Sequence, residues 1–240
     1  MINIYNEVEY AEKMLKEGFL TRRKLYELSV LAKYYYSLGK SKNEVFELLN
    51  QFCEENMENY NKVLYFDKIQ NIANTSKNTP IKAISSIDIN RSDMDIIESL
   101  EDTDLKKLVL AIIVLTKIKI LTTGGRYVNN KYSYITRTSK IKSSSDIRLL
   151  LFKLVGMGII TICINGSILY NKEIDNSDVL FTVKDFDNIG YYLMNYLSHK
   201  YIECEDCGSM MRKKANSHKY CAKCARLRSL KSKLEYYNKK

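Results

Sequence analysis

Several features of a catalytic domain are missing from this sequence. Its only histidines are His199 and His218, and no nucleophile and base occur in a recognisable catalytic arrangement. The pair Gly124-Gly125 is too short for a phosphate-binding loop, and the acidic residues form no metal-ligating motif. The sequence therefore predicts a binding protein and no enzymatic activity.

Long apolar runs are also missing. The most apolar stretch, residues 154–170, contains Gly156, Gly158 and the turn signal Asn165-Gly166, so it falls short of the about 20 apolar residues of a membrane span. The N-terminal residues resemble neither a signal peptide nor a lipidation site. We expect a soluble, cytoplasmic protein that does not enter a membrane.

Acidic residues are almost missing from the C-terminal segment. Residues 211–240 contain 11 Lys and Arg but a single acid, Glu235, whereas the rest of the chain has equal numbers of both signs. The formal net charge of +10 therefore lies entirely in this segment. An AT-rich gene would scatter lysines along the chain, and it does not explain a segment almost free of acids. Such a segment is typical of nucleic-acid binding.

Proline occurs once, and it marks a boundary. Pro80 lies in a polar stretch, residues 74–86, that loses helical periodicity. The length of the chain predicts more than one core. We expect a helical domain over residues 1–75, a second domain over 87–200 and a basic module over 201–240.

The first domain shows helical periodicity at residues 8–20, 24–38 and 44–52. Gly39, followed by Ser41 and Glu44 as a capping box, predicts a helical hairpin. The hairpin could touch DNA as a helix-turn-helix, or it could serve as a packed scaffold or partner surface.

The second domain begins with two further helix starts. Ser92 with Asp95 predicts a second capping box, and Thr103-Asp104 starts a strongly apolar helix. Residues 181–201 predict a short strand and a last helix that joins this domain to the C-terminal module.

The segment 132–172 has a distinctive order of elements. A helix-compatible stretch at 135–141 and a polar turn precede a helix at 146–155. Two β-rich runs, 159–164 and 167–170, are joined by Asn165-Gly166, which favours a hairpin with a type I′ turn.

This order resembles the winged-helix family over residues 104–170. The resemblance implies a recognition helix that begins near Ser144 and enters the major groove. Ser144, Ser145 and Arg148 would then face DNA, with Lys140 and Lys142 on phosphates. The helix has few basic residues, and winged helices also serve as protein-docking modules, so both interpretations stay open.

Two C-x-x-C pairs near the C-terminus are separated by 13 residues. This spacing predicts one structural Zn²⁺ ion in a closed tetrahedral site, with four cysteine ligands, Cys204, Cys207, Cys221 and Cys224. The alternatives are two disulfides or a redox-active pair, which a cytosolic location and the sequence context disfavour. His218 could replace a ligand but is better explained as a loop residue or a donor to a ligand. Cys53 and Cys163 lie in apolar patterns and are expected to be buried thiols.

The C-terminal module resembles the zinc-ribbon and treble-clef family. The matching text is CEDCG at 204–208 and KYCAKCARLRSL from Lys219, with Gly208 suited to a left-handed turn after the first cysteine pair. No glycine or proline interrupts a helix over residues 221–237. Its apolar stripe has four members, Leu227, Leu230, Leu234 and Tyr237.

The basic residues of the module are candidates for phosphate contacts. They are Lys213, Lys214, Arg226, Arg228, Lys231 and Lys233. The alternative is a solvated basic helix whose apolar stripe binds a protein partner.

The fold class is therefore expected to be mainly α, in the α+β class. The sequence favours a zinc-containing DNA-binding protein, either a transcription regulator or a replication accessory factor. It resembles proteins of phages and mobile elements in low-GC Gram-positive bacteria. The alternative is an adaptor that binds a host polymerase or a defence component through the zinc module and the N-terminal helices. RNA binding is a third possibility.

Overall fold

The computed structural model describes residues 3–142, 146–174, 178–215 and 217–237, with residue 237 described by its backbone alone. Over these ranges the chain forms ten helices and seven short strands, so the expected mainly helical α+β class is confirmed. Within the same ranges, no helix has the length and apolarity that a membrane span requires. The chain divides into two compact units at Ser85/Ser86.

The first unit is built from helices. They are α1 (Glu7–Glu17), α2 (Lys24–Ser37), α3 (Lys42–Asn56) and α4 (Lys62–Ser76). The predicted hairpin between α2 and α3 is confirmed: Gly39 has φ 79°, and Ser41 and Glu44 form the capping box. Helix α4 was not predicted, and its last turn covers the start of the expected linker. Its buried residues Ile69 and Ala73 complete the core of this unit.

The second unit surrounds a long buried helix. Helix α6 (Thr103–Thr123) follows β1 (Ile87–Asn90) and α5 (Arg91–Glu98). The predicted capping box at Ser92 is wrong, because β1 pairs with β5 (Val179–Val183) and the helix starts directly after it. Asn90 and Asp93 therefore form the box instead.

After α6, the second unit continues in the predicted order of helix, helix and hairpin. The elements are β2 (Tyr127–Val128), α7 (Tyr132–Ser139), α8 (Ile147–Gly156), β3 (Ile160–Ile162) and β4 (Ile168–Tyr170). Strand β4 lies between β2 and β3 in one antiparallel sheet. The type I′ turn is wrong: only Gly166 has positive φ, and its N–H donates to the Cys163 carbonyl to close an ordinary β-turn.

Helix α9 (Ile189–Ser198) supports the next two strands of the chain. A hairpin of β6 (Tyr201–Glu203) and β7 (Met210–Arg212) follows α9, and α10 (Ala222–Tyr237) ends the described chain. The hairpin belongs to the second unit, which contains residues 86–240.

Gly190 sets how closely α9 approaches α7. A methyl group at Gly190 would lie 1.8 Å from the carbonyl oxygen of Ser139. Gly190→Ala is therefore expected to destabilise the second unit by at least about 1–3 kcal/mol, as overpacking does. Hydrogen exchange of α6 amides measures this loss. Gly156→Ala is the matched control, because no atom lies within 4 Å of that position and alanine favours the helix. Equal protection in both variants would contradict the prediction.

Candidate metal centre and basic surface

The four predicted ligands come from two local structures. Cys204 and Cys207 lie in the turn between β6 and β7, where Gly208 adopts the predicted left-handed conformation, with φ 67°. The N–H of Gly208 donates to the Cys204 carbonyl at 2.9 Å and tightens this turn. Cys221 precedes α10, and Cys224 lies in its first turn. The fold thus brings both sequence pairs to one place.

The sulfur atoms have the spacing of a metal cluster. All four lie within 4.8 Å of one another, and the Sγ atoms of Cys207 and Cys221 are 3.8 Å apart. Four sulfurs bound at about 2.3 Å to a central zinc would be about 3.8 Å apart. Cys204 and Cys224 are buried, and all six cysteines are free thiols. The donor set and its size therefore fit a closed, four-thiolate metal site.

The hydrogen bonds within the cluster shift the pKa values of two of its thiols in opposite directions. The N–H of Cys221 donates to the Sγ of Cys204 at 3.3 Å, and α10 directs the positive end of its dipole at the same region. Burial alone would raise the pKa of the Cys207 thiol, but hydrogen bonds from Ser209 and neighbouring thiols lower it to about 6. The hydrogen bond with Cys207, together with burial, raises the pKa of the Cys224 thiol in turn. Because a metal binds the deprotonated form, ligation must release the proton of Cys224.

The metal cluster is attached to the second unit by a buried carboxylate. Asp185 is fully buried, and its side chain accepts hydrogen bonds from the N–H of Met210 at 3.0 Å and from the Asn188 amide at 2.6 Å. Burial raises the pKa of Asp185 despite these hydrogen bonds. Met210 and Met211 are themselves buried. The hairpin that carries the first two ligands is thus part of the folded unit.

The other candidate residues of this region lie outside the sulfur cluster. His218 accepts a hydrogen bond at Nδ1 from the backbone N–H of Lys214, which is the behaviour of a loop residue. Cys53 is buried in the first unit, and burial raises its pKa to about 11. Cys163 is only half-buried, beside the β-hairpin turn.

Helix α10 is exposed along almost its whole length. Of its residues 222–236, Cys224 is buried and the others are exposed. The predicted apolar stripe is open to solvent: Leu227, Leu230 and Leu234 are 56%, 47% and 63% exposed. The Tyr237 side chain, the fourth predicted member, lies outside the described atoms.

The exposed cations of α10 flank this stripe. Arg226 and Lys233 are seven residues apart and share one side of the helix, while Lys231 lies on the other side of the leucines. Lys213 and Lys214 are exposed in the loop after β7. These five side chains form the basic surface of the module.

Arg228 differs from the other cations because it already has partners. Its Nε donates to Asp206 at 2.6 Å, its Nη2 donates to the second carboxylate oxygen, and the guanidinium lies 4.0 Å from the Tyr220 ring centroid. The hydrogen bonds from Arg228 lower the pKa of Asp206. Arg228 thus ties α10 to the turn that carries Cys204 and Cys207.

The contact between Arg228 and Asp206 predicts different effects for substitutions at Arg228 and at Arg226. Arg228→Ala should increase hydrogen exchange in the first two turns of α10, because it removes the bidentate tie to Asp206. Arg228→Lys should not restore protection, since an ammonium cannot form the planar fork. Arg226→Ala removes the same charge without this contact and should leave exchange unchanged. Similar exchange in all three variants would refute the assigned role.

The residues of the middle segment that were predicted to contact DNA differ in their exposure. Lys140 is half-buried over the Tyr191 ring at 5.6 Å, and burial lowers its pKa. Lys142 is exposed, and its backbone N–H donates to Asp104. Arg148 is exposed at the start of α8. Ser144 and Ser145 lie outside the described residues.

Sequence reasoning missed the residues that hold the site in place. Asp206 lies between two ligands and Tyr220 precedes a third. Their positions next to the cysteines could have indicated that both lie near Arg228, which follows the fourth cysteine. Asp185 gave no such signal, because its contact with Met210 joins residues 25 positions apart. Comparisons with protein-family profiles, curated proteins and solved structures find no match to this chain.

Proposed function

We propose that the chain is a zinc-containing DNA-binding protein whose C-terminal module binds the phosphate backbone. The observation that carries the proposal is α10, a helix exposed on nearly every side that begins at a four-cysteine cluster and presents cations beside the cluster. A hairpin turn with two ligands, followed by one ligand directly before a helix and one in its first turn, supports a treble-clef type of zinc module.

The charge balance of the module supports binding to a polyanion. Residues 211–240 contain 11 basic residues and one acid. Four thiolates around Zn²⁺ carry a net charge of −2, which leaves the segment strongly basic. Of the candidate phosphate contacts, Arg228 is held by Asp206, so the basic surface consists of the other five side chains. Phosphate contacts of this kind are independent of sequence and weaken with salt.

The middle of the second unit supports a winged-helix-like role. Its order of α6, β2, α7, α8 and hairpin, with β2 paired to β4, supports that assignment. Winged helices either read duplex DNA or dock proteins, and the exposed apolar residues of α8, Leu149, Phe152 and Val155, favour docking in this module. A regulator or a replication accessory factor of a phage or mobile element would combine such a docking module with a basic clamp on DNA.

An adaptor function is the second candidate. It is favoured by the open leucine stripe of α10, because three neighbouring leucines about half exposed or more are well suited to a protein partner. In this case the cations beside the stripe would contact acidic residues of that partner.

Charge removal from the basic surface tests the proposal. A variant with Lys213, Lys214, Arg226, Lys231 and Lys233 changed to Gln should lose affinity for every random-sequence duplex. Its log–log salt slope should become flatter by roughly 0.9 for each phosphate that is no longer neutralised. Fluorescence anisotropy at two salt concentrations measures both quantities.

The matched control loses five exposed cations from the first unit. They are Lys16, Arg22, Lys42, Lys68 and Lys77, each changed to Gln. This control should retain most of the affinity and the slope. Equal losses in the two variants would show that net charge alone controls binding, and no binding by the intact chain would favour the adaptor.

A further inference from the structure

Helix α8 presents two apolar faces. One face is buried through Leu150, Leu151 and Leu154. The opposite face carries Leu149, Phe152 and Val155, which are 56%, 67% and 38% exposed. These three residues recur every three positions and so form a continuous stripe along the helix. A helix that reads base edges needs polar side chains on its outer face, whereas the exposed side chains of this stripe are hydrocarbon.

A groove lies between this stripe and strand β3. Its cavity, of about 450 Å³, is lined mainly by apolar side chains of α8 and β3, namely Leu151, Phe152, Val155 and Ile162, together with Tyr132, Arg148 and Thr161. Strand β3 is an edge of its sheet, so its outer backbone groups face away from β4. Leu149, Phe152, Val155 and Ile162 together are named the α8–β3 face.

The charge within the groove is positive. Arg148 is the one charged side chain among the residues that line it, and none of those residues is acidic. Lys153 lies outside this groove and lines a second cavity, where Asp95, Glu101 and Asp102 balance its charge. An occupant must therefore combine apolar anchors with negative charge.

We propose that the α8–β3 face docks an acidic amphipathic segment of a partner protein. Its apolar side chains fill the groove beside Phe152 and Val155, and a carboxylate pairs with Arg148. A second copy of this chain is a poorer occupant, because a symmetric contact would bring two Arg148 guanidinium groups together. Duplex DNA would pair with Arg148 but would leave the leucine, phenylalanine and valine without apolar partners.

This docking site is independent of the proposed C-terminal DNA surface, since it lies on other elements and uses other residues. The probe is a fluorescein-labelled, designed helical peptide of about 18 residues, with Leu and Phe on one face and Glu beside them. One control peptide has Lys in place of Glu, and another has Ser in place of Leu and Phe. Anisotropy with the intact protein should show binding of the acidic apolar peptide alone.

Protein variants assign that binding to the α8–β3 face. Phe152→Ser, at an exposed position, should lower the affinity for the acidic peptide by about tenfold or more. Arg148→Glu should reverse the preference toward the Lys peptide, which a merely unfolded variant would not do. Leu227→Ser with Leu230→Ser, on α10, should leave affinity unchanged.

Four outcomes would overturn the proposal. The first is failure of the acidic peptide to bind, and the second is an unaltered affinity for it in Phe152→Ser. The third is a dimer of the intact chain, seen by sedimentation velocity, that Phe152→Ser dissociates. The fourth is displacement of the peptide by random duplex DNA when it is bound to the variant with the five Gln substitutions in the basic surface. The third would assign the face to a second copy, and the fourth would assign it to DNA.

Discussion

Removal of zinc from the intact protein is expected to unfold α10 while the first unit stays folded. The helix has 16 residues, and through residue 236 it buries only Cys224, so little packing supports it. An isolated helix of this length is marginal in water. Formation of a four-thiolate zinc site typically contributes about 10–16 kcal/mol of apparent binding free energy, which is enough to hold the module together.

Hydrogen exchange of the chelated and zinc-loaded protein measures this effect. Amides of α10 and of the β6–β7 hairpin should lose protection, and those of α2 and α3 should keep it. Cys207→Ser should reproduce the loss and bind less than one zinc per chain. Cys163→Ser is the matched control, and it should retain one zinc and full protection. Protection of α10 in a chain proven free of metal would contradict the account.

A chain that stops after Ala225 is expected to lose most of its non-specific DNA affinity. The cut removes six cations, those of residues 226–240, and leaves all four cysteines. At low salt the loss should be about 100-fold or more, because several phosphate contacts disappear together. A cut after Tyr201 would be a poorer test, since it also removes Met210, whose backbone N–H donates a hydrogen bond to the buried Asp185.

Anisotropy with a random duplex measures the loss, and the zinc content should stay near one per chain. A five-residue truncation after Glu235 serves as the control. It removes two cations, Lys239 and Lys240, and should weaken binding much less. Undiminished affinity in the shorter chain would place the DNA surface elsewhere in the protein.

Local signals in the sequence predicted much of this structure. Ser41 with Glu44 set the start of α3, because a capping box needs only residues three positions apart. The helix predicted at residues 146–155 likewise agrees with α8 to within one residue, and each of the two cysteine pairs fits a single turn. Interactions within one turn depend less on the rest of the fold, although two local predictions, the Ser92 capping box and the type I′ turn, were wrong.

Long-range contacts were not predictable in this way. Strand β1 pairs with β5 across about ninety residues, and that pairing moved the α5 cap from Ser92 to Asn90. The exposure of α8 and α10 likewise follows from which faces the neighbouring elements cover. A hydrophobic periodicity predicts which side of a helix is apolar, but it does not predict which element, if any, packs on that side. Arg228 was assigned to phosphate by its charge, and only the fold shows Asp206 beside it.

The most direct test of the central claim follows DNA binding through removal and return of zinc. The intact protein is titrated with a random-sequence duplex at several salt concentrations, first as purified, then after chelation, and then after one equivalent of zinc is restored. The account predicts salt-dependent binding with a log–log slope of about −4.5, from about five phosphate contacts, that disappears on chelation and returns with zinc. Binding that is equally strong without zinc, or no binding at low salt with zinc present, would contradict it.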